Sequence, residues 1–302
     1  MEIFKQTTRI DFMGLRRMAL GFSGLLILIS LGSLLFHGGM RYGIDFAGGS
    51  LVQLKFKKPP SIETIRRALK KIHLGDSTIQ EFGSKNDILI RTPAAEGGLQ
   101  ELGSQIRKAL AESIPPEEIT VERVEMVGPK VGADLREKAY LSIVYAIAGI
   151  LIYISWRFEF QYALAAVLAL VHDVVITMGA FSVLDKEFTL VVVAGFLTLI
   201  GYSLNDTIVV FDRIRENARR RKKESLAEII NLSVNQTLSR TLLTSGTTLL
   251  AVVALFALGG EIIHDFAFTL LLGILIGTYS SIFVASVFLV LWESRRRRVR
   301  TA

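Results

Sequence analysis

The chain contains no cysteine, which excludes disulfides, thiolate metal sites and cysteine nucleophiles. Only four histidines occur in 302 residues, and His37, His73, His172 and His264 show no metal-ligand spacing. The phosphate loop G-x-x-x-x-G-K-S/T, the zinc helix H-E-x-x-H and the nucleophile elbow G-x-S-x-G are all missing. ATP hydrolysis and hydrolase chemistry therefore have no visible machinery, and neither cofactor nor metal is expected. Apolar side chains fill the space: they make up 51% of the residues, and the mean hydropathy is +0.45. They are also clustered, which points to membrane spans rather than to one large soluble core.

Six apolar segments stand out, at 18–36, 139–156, 163–184, 188–211, 242–259 and 266–292. Each is long enough to cross about 30 Å of hydrocarbon as a helix rising about 1.5 Å per residue. The first follows Lys5, Arg9, Arg16 and Arg17, as a signal peptide would. Its apolar run is too long and "FHGGMRYG" offers no small-x-small cleavage site, so it reads as a retained anchor. Basic residues set the orientation. They crowd the N-terminal tail, the stretch from Asp212 to Arg240 and the terminal "RRRRVR", whereas the connections "DKE" and "GGEIIHD" carry almost none. The positive-inside rule puts both termini and the 212–241 segment in the cytoplasm. These basic clusters read as topology signals facing anionic membrane lipid, not as nucleic-acid sites.

The predicted organisation follows in order. Residues 1–17 form a cytoplasmic tail, 18–36 span one and 37–138 an extracytoplasmic domain. Residues 139–211 hold spans two to four, 212–241 a basic cytoplasmic loop, 242–292 spans five and six, and 293–302 a basic tail. Within the outer domain "SLVQLKF" alternates as a strand, and Ser61 to Gly75 bound a helix. "STIQEFG" and "DILIRT" form two strands about a turn at "SKND". "EGGLQELGSQIRKALAES" is a second helix stopped by Pro115 and Pro116, and "ITVERVEMV" is a last strand. The order β-α-β-β-α-β predicts a ferredoxin-like split βαβ. In the basic loop, Ser225 and Glu228 have capping-box spacing ahead of Leu226, Ile229, Ile230 and Val234. That pattern predicts an amphipathic helix lying on the membrane surface. The expected fold class is thus a polytopic α-helical membrane protein with six transmembrane helices and an α+β ferredoxin-like extracytoplasmic domain between helices one and two.

Some polar residues interrupt the spans. Asn205 and Asp206 fall before the fourth run ends, and a charged group at the bilayer centre costs about 2.5–3.5 kcal/mol on insertion scales. Asp206 continues a stripe of Thr198, Tyr202 and Ser203, which share its helical face. Span five carries a second stripe of Thr237, Arg240, Thr241, Thr244, Ser245 and Thr248. The predicted arrangement brings Arg240 toward Asp206 or Asp212 in one conformation. An acid meeting its cation only intermittently would bind and release a proton as the bundle moves. Asn205 points about 100° away and is expected to anchor the helix by a hydrogen bond. His172 and Asp173 lie near the middle of span three, where Asp173 shares a face with Ala166, Ala169, Thr177 and Ala180.

Five ordered stretches closely resemble the SecF branch of the SecD/SecF family, which is related to the resistance-nodulation-division transporters. They are "RYGIDFAGGSLVQLKF", "VGPKVGADL", "RFEFQYALAAVLALVHDVVITMG", "GYSLNDTIVVFDRIREN" and "SRTLLTSGTTLL", with ordinary variation such as Arg41 and Ala47. The motif residues are Gly43, Asp45, Gly48, Gly49, Gly128, Pro129, Gly201, Asp212 and Arg213. The resemblance implies a non-enzymatic subunit of the bacterial inner membrane. It implies pairing with SecD, association with the SecYEG channel, and use of the proton motive force to assist late export of an unfolded preprotein. It also implies a place in the proton pathway for Asp206 and Arg240. The competing expectation is a proton-driven exporter of a small molecule or lipid. Asp173 and Asp206 could imitate the acid pair of an intramembrane protease, but no convincing catalytic pair accompanies them.

Overall fold

The computed structural model describes residues 8–92 and 99–301 and forms two compact units, Tyr42–Tyr140 and Met1–Arg41 with Leu141–Ala302. Lys5 and residues 96–98, the predicted start of the second outer helix, lie outside the described residues. The chain opens with α1 (Arg16–Phe36). The unit Tyr42–Tyr140 then runs through α2 (Ile44–Ala47), β1 (Gly49–Phe56), α3 (Ile62–Lys71), β2 (Thr78–Phe82) and β3 (Ser84–Thr92). It continues with α4 (Leu99–Ala111), a 3-10 turn, β4 (Ile119–Val127) and the start of α5 (Pro129–Arg157). The strand order is β2-β3-β1-β4 and every pairing is antiparallel. The "SKND" turn is a correction: those residues belong to β3, and Gly83, at φ +71°, turns the chain alone.

Alternation along β1 sends Val52, Leu54 and Phe56 into one core with Ile65 and Leu69 of α3 and Ile106 and Leu110 of α4. Leu51 and Leu89 face the other way and pack with Ile44 of α2. The Gly48–Gly49 pair has a steric cause. Gly49 has φ +122°, and a Cβ there would sit 2.8 Å from the Thr92 carbonyl oxygen; one on Gly48 would sit 2.9 Å from Pro129 Cα. Only glycine lets α2 turn this tightly into β1.

The second unit contains the rest of α5, then α6 (Phe160–Val183), α7 (Leu190–Arg220), α8 (Leu226–Leu258), α9 (Glu261–Ser280), a π-helical turn (Ser281–Ala285) and α10 (Ser286–Thr301). Among the described residues, six helical segments are long and apolar enough to cross a membrane, the last running Ile263–Arg296 through the π turn. The protein is a helical membrane protein, as the hydropathy predicts. The segments differ in surroundings: 61% of the apolar window of α6 is buried but only 11% of that of α5. A helix apolar all round has to bury itself or meet another apolar surface, and residues such as Trp156, Phe36 and Leu258 are exposed. Helix contacts are close where small residues meet. Gly273 and Gly277 of α9 abut Leu199 and Ser203 of α7, and Gly179 of α6 abuts Ser30 of α1.

The basic loop also needs correcting. Helix α7 does not stop at Phe211 but continues to Arg220, and α8 starts at Leu226, so only residues 221–225 break the helices. The capping box of Ser225 and Glu228 forms, yet it opens the fifth span itself rather than a separate surface helix. The apolar face of Ile229, Ile230 and Val234, expected on lipid, is buried against protein. Asn217 of α7 fastens the extension by donating to Ser233 Oγ (2.9 Å) and Gln236 Oε1 (2.8 Å). Two asparagines one turn apart on α8 hold the N-terminal segment. Asn235 accepts from Ile10 N–H (2.9 Å) and donates to Ile10 C=O (2.8 Å), while Asn231 accepts from Phe12 N–H (2.8 Å).

Candidate functional site

Helix α6 carries His172 and Asp173 into the most buried part of the bundle. Asp173 is 0% exposed and His172 5%. A carboxylate there must be matched by donors, and three helices supply them. Ser203 of α7 donates to Asp173 Oδ2 at 2.6 Å, and Ser280 of α9 donates to the same oxygen at 2.8 Å. His172 Nδ1 faces Oδ1 at 2.9 Å, so an ionised Asp173 places the imidazole proton on Nδ1. The other ring nitrogen, Nε2, lies 3.1 Å from Ser23 Oγ of α1. Ser23 in turn lies 3.0 Å from the Tyr279 hydroxyl of α9, which donates to the Ala19 carbonyl at 2.7 Å. The His172 and Tyr279 rings stack with centroids 6.2 Å apart. One acid thus ties together α1, α6, α7 and α9.

Asp206 lies on α7 one turn beyond Ser203 and is 3% exposed. Its partner is Ser245 of α8, which donates to Oδ2 at 3.0 Å and accepts from Thr278 of α9, also at 3.0 Å. The expected seam between spans four and five therefore exists, but a hydroxyl holds the acid where an arginine was predicted. Arg240 is exposed on α8. No ion pair closes between Arg240 and Asp206, nor between Arg240 and Asp212. Asp212 pairs with Arg157 at 3.1 Å instead. The remaining hydroxyls of the stripe mostly turn back on their own helix: Thr244 donates to the Arg240 carbonyl and Thr248 to that of Thr244. Asn205 is exposed and its side chain has no hydrogen-bond partner among the described residues, so the expected side-chain anchor is not formed.

Most of the other predicted positions make local contacts. The Gly43 carbonyl starts α2 by accepting from Phe46 and Ala47, and Asp45 lies in its first turn. Gly128 accepts from Gly132 at 3.0 Å, and Pro129 opens α5, where its missing N–H costs nothing. Arg213 pairs with Glu216 at 2.9 Å. Nothing in the structure explains Gly201, which faces open space.

Sequence reasoning missed Ser23 and the Thr278-Tyr279-Ser280 group. The second left a trace, a run of four polar residues, "TYSS", in the middle of the sixth apolar segment. That run leads into the π turn, which begins at its last residue, Ser281, and closes with Ser286 Oγ donating to the Ser281 carbonyl five residues back at 2.9 Å. Such turns recur at functional sites because they rotate the following residues and free a carbonyl. Among the described residues no group of three His, Asp or Glu could hold a metal ion. The arrangement can hold protons: each acid is lined by hydroxyls, which both donate and accept.

Residues 106–295 match the family model for the C-terminal region of the protein export membrane proteins SecD and SecF, and residues 33–60 match the SecD/SecF GG motif. The protein translocase subunit SecF of Desulfurispirillum indicum is 53% identical over 292 residues, 95% of this chain and 92% of that one. Its counterpart in Magnetococcus marinus is 54% identical over 99% of this chain and 96% of its own. The crystal structure of SecDF, a translocon-associated membrane protein from Thermus thermophilus, superposes with a TM-score of 0.88 at 36% identity. It covers 97% of this chain, which spans about 40% of the length of that structure. Two family signatures, relatives more than half identical along nearly their full length and a shared helical architecture leave one conclusion: the chain belongs to the SecD/SecF family of protein-export membrane proteins, on its SecF branch.

Proposed function

We propose that this chain is an accessory subunit of the Sec protein translocase that takes up protons at Asp206 and Asp173 to drive late steps of preprotein export. The observation that carries the reading is the state of the two acids. Both are buried in helices able to cross a membrane, and neither forms an ion pair with Lys or Arg among the described residues. A carboxylate locked to a guanidinium stays ionised, whereas one lined by hydroxyls and an imidazole can be charged or neutral without orphaning its neighbours. One proton crossing about 100 mV releases roughly 2.3 kcal/mol, enough to bias two helix packings by about fiftyfold.

In this reading Arg240 meets Asp206 in another packing of α7 against α8 and expels its proton. The partner is a SecD chain, a reading supported by the SecDF crystal structure, of which this chain spans about 40%. The SecYEG channel and an unfolded preprotein complete the machine. The sheet unit is a ferredoxin-like domain, a reading supported by its strand order, and it acts mechanically rather than as an enzyme. It lies outside the bacterial inner membrane, with both termini in the cytoplasm, by the distribution of basic residues. The test is preprotein export into inverted membrane vesicles, with and without a proton gradient, for a chain carrying both Asp173→Asn and Asp206→Asn. Loss of the gradient-dependent part alone is expected. A gradient response equal to wild type refutes the reading.

A further inference from the structure

We propose that the cavity between the start of α6 and the middle of α10 binds the phosphate headgroup of an anionic phospholipid. The cavity has a volume of about 580 Å³ and is lined by Glu159, Phe160, Gln161, Trp292, Arg295 and Arg296. Its size suits a headgroup with its glycerol, since small-molecule sites run from about 300 to 1,000 Å³.

Its depth is set by the sequence of α10. The apolar run "SVFLVLW" ends at Trp292, and "ESRRRR" follows at once. Indole rings settle at the boundary between hydrocarbon and headgroups, so the cavity opens at that level. Phe160 stands on the opposite lip, exposed and apolar, where an acyl chain would descend.

The charge of the lining selects the ligand. Arg295 and Arg296 are exposed, and among the described residues neither forms an ion pair. The one acid of the lining, Glu159, accepts from Gln161 Nε2 at 2.7 Å instead. Two guanidiniums against one carboxylate leave the cavity positive, and the start of α6 adds the partial positive charge of a helix N-terminus. Guanidinium groups match phosphate oxygens in two-pronged geometry. A zwitterionic headgroup would bring its own cation toward Arg295 and Arg296, whereas an anionic headgroup brings none. The apolar lips separate a lipid from free phosphate, which would gain nothing from Phe160 or Trp292. The site concerns the membrane alone and does not depend on the proton-uptake reading.

The experiment uses the full chain in detergent, titrated with phosphatidylglycerol or phosphatidylcholine, with bound lipid counted by native mass spectrometry. Each arginine near a headgroup contributes about 1 kcal/mol, so Arg295→Gln with Arg296→Gln should weaken phosphatidylglycerol binding roughly 30-fold. Lys222→Gln with Lys223→Gln, exposed on the α7–α8 connection, should leave it unchanged. An equal loss in both pairs means diffuse attraction of basic residues and overturns the site. Displacement of the lipid by inorganic phosphate at matched concentration overturns the lipid assignment. A second measurement needs no arginine variant. Trp156 and Trp292 are the two tryptophans, so a Trp156→Phe chain reports on Trp292 alone. Its fluorescence should be quenched more strongly by headgroup-proximal brominated phosphatidylglycerol than by the phosphatidylcholine analogue. Equal quenching by the two lipids counts against the proposal.

Discussion

Asp173 offers the sharpest contrast between two substitutions. Its Oδ2 accepts from Ser203 and Ser280, and its Oδ1 faces His172 Nδ1. In Asp173→Asn the amide oxygen can still take both serine protons. The amide N–H₂ then faces His172 Nδ1, and the imidazole answers by moving its own proton to Nε2. That proton points at Ser23 Oγ, whose hydroxyl turns to Tyr279, whose hydroxyl already donates to the Ala19 carbonyl. The chain reverses polarity and only the second amide N–H is left without an acceptor, so the expected loss of stability is about 1–3 kcal/mol. Asp173→Leu permits no such exchange. Ser203 and the His172 Nδ1 side lose their partner, while Ser280 keeps the Gly277 carbonyl at 3.2 Å. Two orphaned buried groups at about 1–3 kcal/mol each predict a loss of about 2–6 kcal/mol. At roughly 2–4 °C per kcal/mol, thermal unfolding in detergent should separate the two variants by several degrees. The Asn variant should fold, export without a gradient and lose gradient stimulation. If Asn destabilises as much as Leu, Asp173 is needed as a permanent anion beside a protonated His172, and the proton-uptake reasoning fails for this residue.

Gly273→Ala would drive a Cβ into Leu199 Cδ1 at the α7–α9 contact, and overpacking of this kind costs about 1–3 kcal/mol. Adding Leu199→Ala should recover part of that loss in a double-mutant cycle, and no recovery would show that the clash lies elsewhere. Asn231→Ala with Asn235→Ala removes the bonds that hold residues 10–13, so trypsin should cut after Arg9 and Arg16 at least tenfold faster, by about 1 kcal/mol per bond lost. Unchanged cleavage would mean that the burial of Phe12 and Met13 suffices. In the sheet unit, Glu122 hydrogen-bonds and ion-pairs with Lys55 at 3.2 Å and raises its ammonium above the ordinary value of 10.5. The folded value exceeds the unfolded one, so the pair's contribution is complete below about pH 10 and fades as pH rises through the folded value. Glu122→Gln should lower the Lys55 midpoint in a nitrogen NMR titration, and an unmoved midpoint contradicts the pairing.

Some of this was legible in the chain. The six spans follow from runs of apolar residues, and β4 was read to its observed ends because its alternation is bounded by Pro116 and Gly128. The capping box was visible because its two partners are three residues apart. Asp206 and Asp173 drew notice because any acid inside such a run is costly. What those acids touch was not legible. Hydropathy could not say whether the Ile229–Ile230–Val234 face meets lipid or protein, since both are apolar. Nor could it choose between Arg240 and Ser245, one helical turn and a half apart on the same helix, as the partner of Asp206.

The sequence by itself determined the class of molecule, its membrane-crossing segments and the existence of expensive acids within them. These are local matters of composition and period, written along a single stretch of chain. The tertiary structure alone decided that Asp173 is the hub and that Asp206 rests on a hydroxyl. The donors to Asp173 come from Ser203 and Ser280, with Ser23 beyond His172, on helices far apart in the chain. Only the packing of α1, α6, α7 and α9, made close by glycine at their contacts, brings those hydroxyls within hydrogen-bond reach.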